Sequence, residues 1–477
     1  MKGSMKMPVK AKPFKHQQEA FDFTCQQFGL IDGIQRSNGC CYLMEMGTGK
    51  SFTAIGTAGI LYQFELAERV LVVAPLSILG VWEAEIAKFA GVPTNVTTLI
   101  GTPEKKKAQI KAAAVPGKLN FILVTYESAW RLEKELLAWN SDLVIADEAH
   151  KIKDGQRKQS KALHHFGDKA RYKLLLTGTL ITNRELDVWS QYRFVNPMIY
   201  GTSFFAFRGR FFDMVGYGKH IPAFRKSKTD EFLKRLHSVA YRVTKAEALD
   251  LPKITEETRY VNLEPKAMKL YRELAKESYA EMERGEITAS NVLTKILRLS
   301  QMTGGFVGDD DKSMHAVSTA KLEALEDVLD SVMADGKKLV VMARFVAELD
   351  AIAALLEKRG IGYAQVRGGI KDRAEEVRRF QEDADCQVFV GQIAAAGLGL
   401  TLTAADTMVF FSMDYSMSNF IQAQARIHRI GAKNTCHYLY LVARGTIDMQ
   451  VLKALQGKID LAKFLVDDYR QGNNPFK

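Results

Sequence analysis

No apolar run in this chain of 477 residues is long enough to cross a bilayer, and its first residues carry no signal-peptide pattern. No membrane partner is therefore expected. Cysteine is scarce: the five present (Cys25, Cys40, Cys41, Cys386, Cys436) form no CxxC pair, and adjacent Cys40 and Cys41 do not suggest a disulfide framework. That pattern points to a reducing compartment inside a cell. Short-period repeats and low-complexity tracts are missing too. Acid is absent from the first fifteen residues, which hold Lys2, Lys6, Lys10, Lys12 and Lys15. Such a segment reads as a solvated, frayed tail or as an arm for phosphates.

What remains is globular in composition. The apolar fraction of 47% and the length allow two or three domains with sizeable cores. The net charge of +11 is a moderate excess, compatible with nucleic acid but weak evidence alone.

Short apolar runs, each followed by a turn or helix signal, occur at Cys41–Met44, Val70–Ala74, Phe121–Thr125, Leu143–Ala146 and Lys173–Leu176. This alternation predicts a parallel sheet covered by helices on both faces, an α/β architecture. The middle of the chain predicts helices at Thr229–Val239, Pro265–Arg284 and Ala289–Gln301, with few strands, and an exposed loop at Gly304–Val317. The run Asp309–Asp311 reads as a solvated turn, without the ligand spacing of a metal site. Strand-like runs return at Lys338–Met342, Gly362–Val366, Gln387–Val390, Met408–Phe411 and Tyr438–Val442, a second parallel sheet, before a helical stretch at Asp448–Leu465.

Three motifs carry chemistry. MetGlyThrGlyLysSer at 46–51 follows the first strand. Gly47 and Gly49 let backbone N–H groups approach phosphate oxygens, with Met46 and Thr48 completing the loop. Lys50 can reach the β- and γ-phosphates and the Ser51 hydroxyl can ligate magnesium. AspGluAlaHis at 147–150 follows another strand. There Asp147 suits the magnesium and Glu148 suits an attacking water, while a surface turn is the bland alternative. His150 reads as an ordinary polar loop residue or as a link between nucleotide state and the second sheet. GlnAlaGlnAlaArgIleHisArgIleGly at 422–431 places Arg426 and Arg429 three apart, on one helical face, a spacing suited to a γ-phosphate. Ligands of open α/β sheets gather at the carboxyl ends of the strands, so the glycine loop, AspGluAlaHis and ThrGlyThr at 177–179 should converge at one edge.

With these motifs in order, the chain resembles the SWI/SNF-like (sucrose-non-fermenting) ATPases of helicase superfamily two, from about Phe14 to Leu465. PheLysHisGln at 14–17 is similar to the family's adenine-reading segment, with Gln17 as the base contact. LeuValValAlaProLeuSerIleLeuGlyValTrp at 71–82 resembles the next motif, including the tryptophan that marks the family. ValThrTyrGlu at 124–127, LeuLeuLeuThrGlyThr at 174–179 and AspGluAlaHisLysIleLysAsp at 147–154 also match. ArgValThrLysAlaGluAlaLeuAspLeuProLys at 242–253 resembles the link between lobes, AlaGlyLeuGlyLeuThrLeuThrAlaAlaAsp at 396–406 the coupling motif of the second lobe, and GlyThrIleAsp at 445–448 the closing brace. The sequence departs from the family at Leu180 and Thr182 after ThrGlyThr, at Met44–Glu45 before MetGly, and at Gly391–Gln392–Ile393. None of these removes a catalytic group. The wording leans toward compact bacterial, phage and annealing-type members.

The resemblance implies two RecA-like lobes with helical protrusions and a C-terminal brace helix. The expected divisions are 1–185 for the first lobe, 186–262 for a helical protrusion and linker, 263–337 for a helical insertion, 338–445 for the second lobe and 446–477 for the brace helix and tail. It implies ATP and Mg2+ as cofactors, with Ser51 and Asp147 on the metal, and largely sequence-independent duplex or branched DNA as partner. Lys50, Asp147, Glu148, Arg426 and Arg429 would be catalytic. His150, Thr177, Gly178, Thr179, Gly397, Gly399 and Gln422 would couple hydrolysis to movement. Candidate DNA contacts are Ser77, Trp82, Thr125, Tyr126, Lys153, Arg367, Gly368 and Gln392, with Trp82 open to a second reading as a buried aromatic on an amphipathic helix. The expected activity is an ATP-driven DNA translocase in repair, recombination, replication or protein displacement. The alternatives are a strand-separating or annealing helicase and, from another class, a DNA-binding interaction protein with a degenerate ATPase.

Overall fold

The computed structural model describes residues 4–181, 184–216, 221–249, 251–283, 289–308, 314–369, 372–394, 400–429 and 431–463. The chain divides into two units, one Met1–Leu249 with Asp460–Lys477, the other Asp250–Ile459.

The first unit is built on β1 (Gly39–Met44), β2 (Arg69–Ala74), β3 (Thr94–Thr98), β4 (Leu119–Thr125), β5 (Leu143–Asp147), β6 (Tyr172–Leu176) and, after the hairpin β7 (Phe212–Val215) and β8 (Ile221–Phe224), β9 (Ala240–Val243). Seven of these form a parallel sheet in the order β3-β4-β2-β5-β6-β1-β9. Central strands such as β1 and β5 are buried along their whole length, so their sequences are continuous apolar runs rather than alternating ones. One face of the sheet packs Cys41, Leu71, Ile122, Val144 and Leu175 under the helix Lys158–Lys169 and its neighbours. The other packs Tyr42, Val72, Leu123, Ile145 and Leu174 under α2 (Lys50–Gln63) and α3 (Leu76–Phe89). Beyond β6 an aromatic cluster of Tyr200, Phe207, Phe211 and Phe232 ties helices Pro197–Tyr200, Phe204–Phe211 and Thr229–His237 together.

The basic N-terminal segment, expected as a frayed tail or a phosphate arm, is docked from residue 4 onward. Met7 is buried with Phe21, Cys25, Phe52 and Ile60. The Lys10 N–H donates to Phe89 O at 2.9 Å and its Nζ to Ala87 O at 3.2 Å. Glycines make the room: a Cβ on Gly56 would lie 2.5 Å from Met7 Cγ, and one on Gly91 would lie 2.5 Å from Pro8 O.

The second unit holds β10 (Ile254–Val261), β11 (Phe306–Gly308), β12 (Met314–Ala316), β13 (Lys338–Ala343), β14 (Gly362–Val366), β15 (Cys386–Gln392), β16 (Ala405–Phe410) and β17 (Cys436–Ala443). Six of them form a parallel sheet in the order β10-β17-β16-β13-β15-β14. The molecule is therefore α/β with two parallel-sheet lobes. The 186–262 segment, expected as protrusion and linker, also supplies β9 to the first sheet and β10 to the second. Within 304–317, expected as an exposed loop, Phe306–Gly308 and Met314–Ala316 pair as the antiparallel strands β11 and β12; Met314–Ala316 are exposed, as expected, while Gly304 and Gly305 are buried. Asp309–Asp311 lies outside the described residues. The closing helix Ile447–Lys463 begins beside a buried ion pair, Lys321 Nζ to Asp448 Oδ2 at 2.7 Å.

Candidate active site

Leu176 of β6 is in register with Tyr42 of β1 on one side and Asp147 of β5 on the other. The three segments that leave these strands therefore emerge side by side at the carboxyl edge of the first sheet.

The loop after β1 turns through two glycines in left-handed backbone, Gly47 at φ 84° and Gly49 at φ 91°, and Gly49 caps α2. A Cβ on Gly49 would also lie 2.1 Å from Gln17 Nε2. Met44, where the family pattern has another residue, is the fully buried last residue of β1, so the turn begins after it. Lys50 Nζ donates to Met44 O at 3.0 Å and Glu45 O at 3.4 Å, within the loop it follows. The buried Thr48 donates its hydroxyl to Glu45 O at 2.7 Å. Met46 and Ser51, in the first turn of α2, are half-buried.

Gln17 is joined to this loop: its Nε2 donates to Thr48 O at 3.2 Å while its Oε1 accepts from the Phe14 N–H at 3.0 Å. His16, which sequence reasoning passed over, reaches the same Thr48 O at 2.7 Å. In the sequence Glu45 stood out only as part of the departure from the family pattern before MetGly. Its carboxylate meets the Arg242 guanidinium at 3.2 Å and the Lys245 N–H at 2.9 Å. No local pattern could have revealed a partnership between segments so distant in the chain.

At the end of β5 the Asp147 carboxylate is held on both oxygens. Oδ1 accepts from the Glu148 N–H at 2.8 Å and Oδ2 from the Trp82 indole N–H at 2.9 Å. The Tyr126 hydroxyl donates to the Asp147 carbonyl at 2.7 Å. Burial first, and then the neighbouring Glu148 charge, raise the Asp147 pKa, against the opposing pull of Lys50 and the Trp82 bond. Glu148 stands in left-handed backbone at φ 51°, ψ 51°, an uncommon conformation for a residue with a side chain. Its Oε2 is 3.3 Å from His150 Nδ1, in the short turn Ala149–Ile152. From β6, the Thr177 N–H donates to Tyr42 O at 3.1 Å, and its buried hydroxyl accepts from the Thr179 N–H at 3.1 Å. A Cβ on Gly178 would come within 3.4 Å of Met44 O, so this segment runs alongside the glycine loop.

Two expected DNA contacts are corrected. Trp82 and Tyr126 are 1% and 2% exposed, and both face Asp147, so neither can touch a polymer at the surface. Thr125 caps the helix Tyr126–Arg131, accepting from the Ser128 N–H at 3.1 Å. Ser77 is half-buried in the first turn of α3, and Lys153 Nζ stands 3.9 Å from Asp187.

In the second unit, the loops after β14 and β15 meet. Gln392 Oε1 accepts from the Gly368 N–H at 3.3 Å, Gln392 Nε2 donates to Arg344 O at 3.3 Å, and Arg367 pairs with Asp350. Arg426 and Arg429 do not share a helical face, because the helix Met417–Gln424 ends before them. They converge through a turn instead, each donating to Leu400 O, at 3.4 and 3.3 Å. Gln422 Nε2 lies 3.4 Å from Ser418 Oγ. Thr182, Asn183, Ala395, Gly397, Gly399 and Ile430 lie outside the described residues.

Comparison with known proteins follows the same division. Residues 16–304 match the model of the SNF2-related domain, and residues 320–431 match that of the helicase conserved C-terminal domain. The chain is similar to the mouse (Mus musculus) chromodomain-helicase-DNA-binding protein 1-like, 27% identical over 92% of this chain and 49% of that protein. It is similar to an ATP-dependent helicase of Mycoplasma pneumoniae, 29% identical over 93% of this chain and 42% of that one. The chain thus spans less than half the length of either relative. The solved Sulfolobus solfataricus SWI2/SNF2 ATPase core in complex with dsDNA aligns over 98% of this chain and 96% of that one, at 23% identity and a TM-score of 0.46.

Proposed function

We propose that this chain, which belongs to the SNF2-related family, hydrolyses ATP to drive its own movement along duplex or branched DNA. One observation carries the reading: the left-handed glycine loop with Lys50 and the doubly held Asp147 beside Glu148 emerge from neighbouring strands at one sheet edge.

In this reading the loop N–H groups and the start of α2 receive the phosphates. Lys50 exchanges its bonds to Met44 O and Glu45 O for phosphate oxygens. Gln17, already anchored to the loop, meets the adenine edge. The donor set suits a hard divalent cation: a hydroxyl at Ser51 and a buried carboxylate at Asp147, crowded by a second carboxylate. Ser51 and Asp147 would hold magnesium, which when bound neutralises phosphate charge. Glu148 orients the attacking water and takes its proton. Arg426 and Arg429 offset the charge that develops on the γ-phosphate. His150, Thr177, Gly178, Thr179, Gly397, Gly399 and Gln422 couple hydrolysis to movement. Ser77, Thr125, Lys153, Arg367, Gly368 and Gln392 contact the DNA backbone. DNA as partner is supported by the name of the mouse relative and by the motifs. All five cysteines are buried and none forms a disulfide among the described residues, as suits a reducing compartment. Among the described residues no helix is long and apolar enough to cross a membrane.

The test is ATP hydrolysis by the purified chain with and without duplex, forked and single-stranded oligonucleotides. Duplex or branched DNA is expected to stimulate hydrolysis, and Glu148→Gln to reduce it by at least a hundredfold while ATP binding persists. Unstimulated hydrolysis, or a fully active Glu148→Gln protein, would overturn the proposal.

A further inference from the structure

Trp82 is nearly inaccessible, yet it carries one polar atom, and that atom is aimed at the Asp147 carboxylate at 2.9 Å. We infer that Trp82 is a positioning residue: its indole N–H fixes the Asp147 carboxylate in the orientation that serves a nucleotide-bound magnesium ion. This deepens the function proposed above and rests on it.

An indole offers a donor and no acceptor, so Trp82 can neither ligate a metal nor take a proton. What it can do is orient. The terminal torsion of an aspartate is soft and roughly two-fold. One donor on Oδ1, the Glu148 N–H, would leave the carboxylate free to swing about that contact. A second donor on Oδ2, from a helix on one face of the sheet, sets the plane of the group. The Tyr126 hydroxyl holds the backbone of the same residue through its carbonyl. Each carboxylate oxygen keeps acceptor capacity beyond its single protein donor. The arrangement matches that of metal ligands oriented by partners that never touch the metal, whose loss costs about 10–100-fold in affinity or activity.

Trp82 is a core residue as well, packed with Leu79 and Ile86 of α3, so packing must be separated from orientation. The measurement is the magnesium chloride concentration that half-saturates binding of a fluorescent, non-hydrolysable ATP analogue to the intact chain. Trp82→Phe, which keeps an aromatic ring and removes the N–H, is expected to raise that concentration about tenfold. Its affinity for a duplex oligonucleotide without nucleotide should stay within about twofold of wild type, since a buried ring makes no backbone contact. Tyr126→Phe removes a single hydroxyl and should shift the magnesium requirement the same way by less; it carries the test if Trp82→Phe does not fold. Ile86→Ala empties buried volume on the same helix without touching Asp147. It should lower the melting temperature and leave the magnesium requirement unchanged.

An unchanged requirement in Trp82→Phe, or an equal shift in Ile86→Ala, overturns the inference. Weakened duplex binding in Trp82→Phe with a wild-type magnesium requirement overturns it in favour of a DNA contact. If the wild-type chain shows no magnesium-dependent nucleotide binding, the proposed function itself falls and takes this inference with it.

Discussion

Glu148 combines an uncommon backbone with the water-orienting role proposed for it. A side chain held in left-handed helical backbone costs about 1–2 kcal/mol, and Glu148 sits there at φ 51°. Glycine at that position is free of the cost. Glu148→Gly is therefore expected to abolish hydrolysis while leaving the melting temperature unchanged or raising it by about 2–4 °C, read by calorimetry beside the ATPase assay. A lower melting temperature would show that the side chain stabilises the unit more than its backbone strains it. At this scale the sequence was a good guide to residue type and a poor one to direction. It marked Trp82 and Tyr126 as notable, but chain order does not say which way a ring faces, and both turn inward to Asp147. Spacing brought Arg426 and Arg429 together on a helix; the structure brings them together through a turn and the Leu400 carbonyl. The partnerships of His16 and Glu45 gave no signal because the partners are separated from them by long stretches of chain.

Among the elements, the strands legible in sequence were the buried apolar ones and, at one edge, β14, whose successive residues alternate in exposure. Of the four edge strands of the two parallel sheets, β3, β9 and β10 were missed. β3 reads ThrAsnValThrThr and is only half-buried, β9 has four residues, and β10 is mostly exposed. None presents an apolar run. Two elements carry predictions. On the helix Lys158–Lys169, His164 accepts no easy proton: burial lowers its pKa from 6.5 to about 4, and its Nε2 is 2.9 Å from Ser190 O. The unfolded chain binds that proton between those two values and the folded chain does not, so stability falls as pH drops from 6.5 toward 4. The loss is about 3 kcal/mol at most. His164→Gln should flatten this part of the pH profile in denaturant titrations. On the closing helix, Asp448 accepts from Lys321 Nζ, the Thr303 hydroxyl and the Ala443 N–H, at 2.7, 2.7 and 3.1 Å. Asp448→Ala strands a buried ammonium and is expected to cost about 3–5 kcal/mol in urea denaturation.

For the whole molecule, the proposed motor should grip DNA through phosphates, so log Kobs should fall linearly with log salt and depend little on base sequence. Arg367, at the surface and paired with Asp350, is the clearest case: Arg367→Ala should make that slope shallower by about one. An unchanged slope would remove Arg367 from the contact set. A final feature concerns Glu45. It opens the glycine loop through its carbonyl, which accepts from the Thr48 hydroxyl, and its carboxylate grips Arg242 on the last strand of the first sheet and the backbone of Lys245 just beyond. The chain leaves the first unit at Leu249. One glutamate thus serves as a single mooring post, to which both the glycine loop and the departing stretch of chain are made fast.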